Sequence, residues 1–311
     1  MSAPTDVDLL AELEPVVADE TNRHLGAARD WYPHEYVPWS EGETFAGVLD
    51  GKAWDPSQER FSKAARTSLI INLLTEDNLP SYHFEIASQF GRDGAWGSWV
   101  HRWTAEEDRH AQALRDYLSI TRAVDPVELE DARMSHMQEG FTAIRPGILH
   151  GLAYVSFQEL ATRVSHRNTG KATGDPIAEQ LLARIALDEN LHMIFYRNVM
   201  GAALDLAPDR SMRAIADMVI NFAMPGHGIP GFERKAVEIA VAGIYDLRQH
   251  IDEVIAPVLR TWQIMERTDF GPDGEKAREE MAEHLAGLEK TAARFEERRP
   301  SLAKRLFGEE A

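Results

Sequence analysis

Apolar side chains recur every three or four residues along most of the chain, the spacing that places them on one face of an α-helix. This pattern predicts seven helical segments, at residues 9–17, 65–74, 99–118, 152–164, 177–200, 212–224 and 237–255. No convincing run alternates apolar and polar residues, as strands do. The longest apolar run, residues 68–74, falls far short of the roughly 18 residues that a membrane span needs. The sequence therefore predicts an all-α fold without a membrane span.

Turn residues divide the helical segments and set the predicted domain organisation. Glycine, proline and aspartate mark turns at residues 91–94, 125–126, 170–176, 225–231 and 271–274. After the last of these turns, the segment up to residue 299 has the pattern of a charged amphipathic helix or helix pair. Residues 31–50 are predicted to form an ordered surface loop. We predict one domain, residues 1–311. Its core bundle lies at about 60–260, between an N-terminal loop and helix (1–59) and a charged helical C-terminal segment (270–311).

Composition limits the chemistry that is available. The chain has no cysteine, which excludes zinc–thiolate sites and cysteine-ligated iron–sulfur clusters, so a metal ion must be held mainly by His, Asp or Glu. The formal net charge of −18 disfavours nucleic acids and anionic membranes as partners, whereas an acidic protein could still dock on a local basic patch. Residues 1–19 are acidic and lack the pattern of a signal or transit peptide, so we expect a cytoplasmic protein.

Two segments have Glu-x-x-His spacing, Glu107 to His110 and Glu189 to His192. Residues three apart share one face of a helix, so the carboxylate and the imidazole can bind the same ion. On its own this spacing carries little weight, because 51 acidic residues and 12 histidines in 311 positions produce about two such pairs by chance.

The wider spacing of four glutamates makes these pairs informative. Glu76 precedes Glu107 by 31 residues, and a glycine-marked turn at residues 91–92 falls midway. Glu159 precedes Glu189 by 30 residues, and that midpoint also falls at a glycine turn. If each pair lies on an antiparallel helical hairpin, its two glutamates stand at one level, roughly 20 Å from the turn at 1.5 Å per residue. Two divalent ions would neutralise four such carboxylates, and this ligand set favours iron or manganese.

In four segments the sequence resembles the acyl-acyl carrier protein (acyl-ACP) desaturases, particularly their bacterial branch, which lacks a plastid transit peptide. The segments are TEDNLPSYH (75–83), WTAEEDRH (103–110), SFQELAT (156–162) and DENLH (188–192), with weaker likeness at 224–227 and 243–245. The resemblance covers about residues 10–265, in the family's order. It implies a ferritin-like helical bundle with a di-iron site in its four-helix core.

The resemblance also implies a set of site residues. The expected iron ligands are Glu76, Glu107, His110, Glu159, Glu189 and His192. Among them, Glu107 and Glu189 are the expected bridges between the ions. Thr162, one turn after Glu159, is expected to line the oxygen site as a catalytic side chain. Asp188 and Glu106 are expected to accept hydrogen bonds from the imidazoles, and Trp103 is expected to flank the electron path. The other ten histidines are expected to be ordinary polar residues.

The reaction that the resemblance implies is O₂-dependent desaturation, which inserts a cis double bond into an acyl chain carried by acyl carrier protein, as in fatty acid biosynthesis. Two iron ions per chain, as Fe²⁺ or Fe³⁺, are the expected cofactor. A ferredoxin with its reductase is the expected electron source, because the chain has no cysteine for a cluster and no dinucleotide-binding glycine motif. The family's habit predicts a homodimer.

Two basic patches are candidates for docking the acidic carrier protein. Arg234 and Lys235 fall in a segment that resembles a docking region of the family. The second patch is a cluster of four basic residues by sequence, namely Arg163, Arg167, Lys171 and Arg184. Leu160 and Leu191 stand where plant members carry Arg, and residues 125–150 and those beyond 227 depart from the plant pattern. Chain length and double-bond position therefore stay open.

Two alternative functions also stay open. A di-iron monooxygenase acting on an acyl-ACP or acyl-CoA thioester would use the same ligands, and the sequence does not separate hydroxylation from removal of a second hydrogen. The second alternative is a non-catalytic iron-binding bundle. The presence of all six ligands, and of more than 100 residues after the last of them, argues against it.

Overall fold

The structure is a computed structural model in which residues 5–141 and 147–308 are described. The helices in these ranges are α1 (Asp6–Ala27), α2 (Lys63–Asp77), α3 (Leu79–Phe90), α4 (Gly94–Ile120), α5 (Pro126–Glu139), α6 (Ile148–Thr173), α7 (Pro176–Leu206), α8 (Pro208–Ile220), α9 (Phe232–Val241), α10 (Leu247–Gln249), α11 (Ala256–Thr261) and α12 (Pro272–Phe307). The described ranges contain no β-strand; an isolated bridge joins Phe45 and Lys52. The predicted all-α fold is confirmed.

Helices α6 and α7 form the second predicted hairpin, and its turn lies at the predicted glycine. Gly174 follows α6 in the left-handed conformation (φ 65°, ψ 6°), which glycine adopts without steric cost. The Asp175 side chain then accepts hydrogen bonds from two backbone N–H groups of α7. Pro176 opens α7, where its missing N–H has no partner to lose. These local preferences reverse the chain within two residues, so that the glutamates of both helices stand at one level.

The first hairpin differs from its prediction in one respect, because its first arm is two helices. Glu76 lies in the last turn of α2, which ends at Asp77, and α3 continues from Leu79 to the turn at Gly91. Pro80 explains the break: it has no N–H, and in a continuous helix its ring would clash with the carbonyl of Glu76, four residues earlier. The interruption falls after Glu76 and leaves that side chain on α2.

Two other predicted segments are shorter or broken. The segment 212–224 corresponds to α8, which ends at Ile220. The segment 237–255 is not one helix: α9 ends at Val241, Gly243 takes a φ of 76°, and the chain then passes through α10 into a π-helix over His250–Ile255. The sequence pattern did not reveal α5, because few of its side chains are buried.

The packing of the remaining elements encloses the four central helices. Helix α1 packs against α4 and α7, and α12 packs against α8. The C-terminal segment is a single helix, one of the two predicted possibilities. The core includes Trp99 of α4 stacked on Phe195 of α7, with ring centroids 3.5 Å apart. Residues 31–50 follow the surface in short 3₁₀ turns, but Trp31 and Val37 are buried. In the described part of the chain no helix has the length and apolarity of a membrane span. The single-domain division stays a prediction.

Candidate metal centre

Four helices bring the six predicted metal ligands to one place in the interior. Helix α2 carries Glu76 and α6 carries Glu159, while α4 and α7 each carry one Glu-x-x-His pair. Each of the six residues is at most 8% exposed: Glu76, Glu107, His110, Glu159, Glu189 and His192. The structure thus brings together the six residues that the sequence singles out, and their role as metal ligands stays a prediction.

The six residues form two overlapping groups of four. In each group the potential ligand atoms lie within 4.8 Å of one another. The first group consists of Glu76, Glu107, His110 and Glu189, and the second of Glu107, Glu159, Glu189 and His192. Glu107 and Glu189 belong to both groups. Each group thus combines the two shared carboxylates with one further carboxylate and one imidazole, which is the pseudo-twofold arrangement that the repeat in the sequence predicts.

Several of the ligand atoms are buried without a hydrogen-bond partner among the described residues. They are Oε1 of Glu107, Oε2 of Glu159, Oε1 of Glu189, Nδ1 of His110 and Nδ1 of His192. Nδ1 of His192 lies only 2.8 Å from Oε1 of Glu107, without hydrogen-bond geometry. Buried polar atoms left unpaired are costly, and lone pairs that converge in this way fit a cation between them. Carboxylates and imidazoles without sulfur suit iron or manganese, so the residues present fit a pair of such ions.

The electrostatics of the carboxylates also favour bound cations. Burial raises the pKa of both Glu107 and Glu159, and the charge of Glu189 raises these two pKa values further. Four buried carboxylates within a few ångströms cannot all ionise without compensation, and divalent ions reverse that preference.

The imidazoles carry part of the compensation in the metal-free protein. Burial opposes ionisation of Glu76, but the neighbouring imidazoles of His110 and His166 outweigh it and lower the pKa of this carboxyl. The neighbouring carboxylates, in turn, raise the pKa of His110 and His192 well above the ordinary value despite their burial. Metal ions must therefore displace protons from the site when they bind.

Asp188 contacts the His110 imidazole on the side opposite the ligand carboxylates. Its Oδ2 lies 3.4 Å from Nε2 of His110 and accepts hydrogen bonds from Nε1 of Trp31 (2.7 Å) and Nη2 of Arg109 (3.0 Å). Arg184, one turn earlier on α7, forms an ion pair with the same carboxylate. Because Nε2 of His110 faces Asp188, Nδ1 of His110 faces the carboxylates of Glu76 and Glu189.

Glu106 serves the same purpose for His192 on the other side of the site. Its Oε2 lies 2.8 Å from Nε2 of His192 and 2.9 Å from Nε2 of His24, and Arg102 forms an ion pair with Oε1. Each acidic residue therefore contacts the histidine of the other helix. Glu106 of α4 contacts His192 of α7, and Asp188 of α7 contacts His110 of α4.

Thr162 and Trp103 both touch the ligand groups. Oγ1 of Thr162 lies 2.9 Å from Oε2 of Glu189 and 3.0 Å from the backbone carbonyl oxygen of Glu159, so its hydroxyl can donate a hydrogen bond to either acceptor. Nε1 of Trp103 donates to Oε1 of Glu159 at 3.0 Å. The roles of Thr162 in the oxygen site and of Trp103 beside the electron path stay predictions.

The expectation that the other ten histidines are ordinary polar residues does not hold for His24 and His166. Both are buried, and His166 Nε2 lies 2.8 Å from Oε1 of Glu76. A sequence signal for His166 existed, since it follows Glu159 by seven residues and Thr162 by four, on one face of α6. For His24 and Trp31 no such signal exists, because tertiary packing alone brings them to the site.

A cavity of about 290 Å³ extends from the ligand groups. Glu76, Glu107, Trp103 and Thr162 line it at the metal-ligand end. Its wall is largely apolar, formed by Tyr82, Ile86, Phe90, Phe141, Tyr154, Val155, Met218 and Met224 among others. The cavity reaches the protein surface at His227 and Gly228, which line it and are exposed. An apolar cavity that joins the surface to a metal centre is suited to a long, apolar substrate chain.

The predicted docking residues lie in two different situations. Helix α9, which begins four residues after Gly228 at the cavity's surface end, carries Arg234 exposed and Lys235 half-buried. The second predicted cluster is divided, because Arg184 is turned inward to Asp188. Arg167 and Lys171 are exposed on α6.

Replacing Asp188 by asparagine is expected to weaken metal binding in the group that contains His110. The amide keeps the shape of the carboxylate but removes the charge that holds His110 and the two arginines, and losses of this kind typically reach about 10–100-fold in metal affinity. Competition titration with Mn²⁺ and a chelator measures the change, with Asp19→Asn on the exposed face of α1 as the matched control. Equal affinities in Asp188→Asn and the native chain would contradict this role.

Comparison with known proteins adds independent findings. The sequence pattern of the fatty acid desaturase family matches residues 5–307. The chain is 54% identical, over 94% of its length and 88% of the relative's, to DesA1 of Mycobacterium tuberculosis, which is named as an acyl-[acyl-carrier-protein] desaturase. It is 30% identical, over 76% of its length and 64% of the relative's, to the chloroplastic stearoyl-[acyl-carrier-protein] 9-desaturase 6 of Arabidopsis thaliana. The X-ray structure of DesA2 from M. tuberculosis, described as an acyl-ACP desaturase, superposes with a TM-score of 0.72 at 33% identity, covering 86% of this chain and 98% of that one.

Proposed function

The chain belongs to the fatty acid desaturase family, and on this basis we propose that it is an O₂-dependent acyl-ACP desaturase with a carboxylate-bridged di-iron centre. The observation that carries the proposal is the pair of overlapping ligand groups at the inner end of an apolar cavity. In this proposal Glu107 and Glu189, which belong to both groups, would be shared by the two ions, and Glu76 with His110 and Glu159 with His192 would complete the two ligand sets.

The ions would supply oxidising chemistry with O₂, and the protein's own residues position the substrate and move protons. In the overall reaction two hydrogen atoms leave adjacent methylenes, and two electrons and two protons arrive from outside, so that O₂ becomes two molecules of water. The apolar wall holds the acyl chain and keeps bulk water out. Thr162, within hydrogen-bond distance of Glu189, is placed to hold a proton near the ions.

The proposed reaction also needs a source of electrons and a carrier for the acyl chain. The chain has no cysteine for a cluster, so the electrons come from a separate ferredoxin and its reductase. A homodimer and a cytoplasmic location belong to the same proposal. The acyl carrier protein would dock beside α9, where the cavity meets the surface.

Reversing the charges of Arg234 and Lys235 to glutamate is expected to raise KM for acyl-ACP about tenfold with little change in kcat. Two surface charge pairs with an acidic partner are worth about 1–2 kcal/mol together, and they act on binding rather than on the reacting atoms. Steady-state kinetics at low and high salt measure the effect, which salt should diminish. The matched control reverses Lys290 and Arg294, an exposed pair on α12. An equal rise in KM in the control variant would contradict the prediction that the carrier protein docks at α9.

The experiment that tests the proposed function is aerobic turnover of a panel of acyl-ACPs with ferredoxin and its reductase, followed by mass spectrometry of the acyl products. Loss of two hydrogens identifies desaturation, whereas gain of one oxygen would identify a hydroxylase. Iron uptake without any change of acyl mass across the panel would contradict both activities and leave an iron-binding bundle.

A further inference from the structure

One part of the cavity, away from the metal-ligand groups along α6, is lined by polar side chains. Along α6, Gly151 lies eight residues before Glu159, about 12 Å away at 1.5 Å per residue. Here the cavity is lined by Glu85 and Gln89 of α3 and by His150, beside Gly151, and all three polar residues are half-buried. A cavity for a plain hydrocarbon chain needs no polar side chains in this part, and the mechanism proposed above does not use these three.

Gln89 presents a hydrogen-bond acceptor that has no partner among the described residues. Its Nε2 donates to Oε2 of Glu85 at 3.5 Å, which leaves Oε1 as the free atom of the amide. Oε1 is buried and accepts no hydrogen bond in the described part of the chain. It lies against Gly151, where a Cβ atom would come within 2.6 Å of it. Gly151 thus provides the room that Gln89 Oε1 occupies.

The polar groups in this part of the cavity favour a ligand that donates a hydrogen bond. Glu85 and Oε1 of Gln89 are acceptors, and Nε2 of His150 is already within 3.1 Å of Oδ2 of Asp217. A methyl-terminated chain that reached Gln89 would cover its unpaired carbonyl without replacing the water that otherwise solvates it. A carboxylate would meet the charge of Glu85. A hydroxyl group has the one donor that fits.

We propose that the cavity accommodates an acyl chain that carries a hydroxyl group near its far end, and that this hydroxyl donates a hydrogen bond to Oε1 of Gln89. The inference rests on the proposed function in that it assigns the cavity to an acyl chain. It adds a substrate class, hydroxylated acyl-ACPs, and a residue that selects for it.

The test uses pairs of acyl-ACPs of equal chain length, one ending in a methyl group and the other in a terminal hydroxyl, over a series of lengths. Binding to the iron-loaded protein is measured first without O₂ or reductant, by isothermal titration calorimetry, and turnover of the same pairs is measured afterwards. At the best-fitting length the hydroxylated chain is expected to bind about tenfold more tightly, the factor that one added hydrogen bond provides.

Two variants and one control locate the effect. Gln89→Leu removes the acceptor at similar volume and is expected to abolish the preference, while Gly151→Ala, which displaces Oε1, is expected to reduce it. Gln180→Leu, at an exposed position of α7, should leave the preference intact. Equal binding of both chains at every length, or an unchanged preference in Gln89→Leu, would overturn the inference. Hydroxyl preference in binding without any double bond formed would instead refute the proposed function alone.

Discussion

The variant Glu189→Ala is expected to lose both metal ions and, with them, measurable desaturation. Glu189 belongs to both groups of four, so its removal takes one ligand from each and leaves the remaining carboxyl groups buried without full neutralisation. We expect turnover to fall by more than about a thousandfold, the factor that roughly 4 kcal/mol of lost transition-state stabilisation produces. Iron analysis after anaerobic loading and mass spectrometry of the acyl product measure the two losses.

Comparison with Glu76→Ala separates a shared ligand from one that serves a single ion. Glu76 belongs to only one group, so its variant should retain about one ion per chain, bound by the other group. Glu279→Ala, at an exposed position of α12, should behave as the native protein. If Glu189→Ala still binds two ions, or if Glu76→Ala loses as much iron as Glu189→Ala does, the assignment of Glu189 as a bridge is wrong.

The sequence was sufficient to predict which six side chains meet, because their level in the bundle depends only on helix rise and turn position. Glu159 and Glu189 flank a turn whose sequence, Gly174 followed by Asp175 and Pro176, specifies the end of one helix and the start of the next. The interruption at Pro80 did not spoil the first hairpin, since α3 continues toward the same turn at Gly91.

Residues that approach the site from distant parts of the chain could not be predicted in this way. Trp31 reaches Asp188 across 157 positions of sequence, and His24 reaches Glu106 across 82. Their positions depend on how α1 and the turns after it pack over α4 and α7, which apolar periodicity does not encode. His166 is different, because its spacing from Glu159 places both residues on one face of α6. That spacing alone does not distinguish His166 from the other nine histidines, and only the contact with Glu76 in the structure does.

The same buried groups predict how pH changes the stability of the metal-free protein. The folded pKa values of His110 and His192 are raised, so the stability that their charged forms provide is complete below the ordinary value of 6.5 and is lost as the pH rises through the folded pKa. The raised pKa values of Glu107 and Glu159 act in the same direction above 4.5. Glu76, with a lowered pKa, provides stability that is constant above 4.5. The metal-free protein should therefore become less stable from about pH 6 to about pH 8.

Adding Fe²⁺ or Mn²⁺ anaerobically is expected to stabilise the protein more at about pH 8 than at about pH 6, because the ions compete with the protons on these imidazoles and carboxyls. At about pH 8 and a metal concentration about a thousand times Kd, the gain is about 4 kcal/mol, or about 10 °C in Tm. Thermal unfolding with and without metal at both pH values measures it. Glu189→Ala supplies the control, since it keeps most of the titrating groups but not the ligand sets, and its Tm should not rise with metal. A metal-induced rise in Tm that is equal at both pH values, or larger at the lower one, would show that the six residues do not exchange protons for metal.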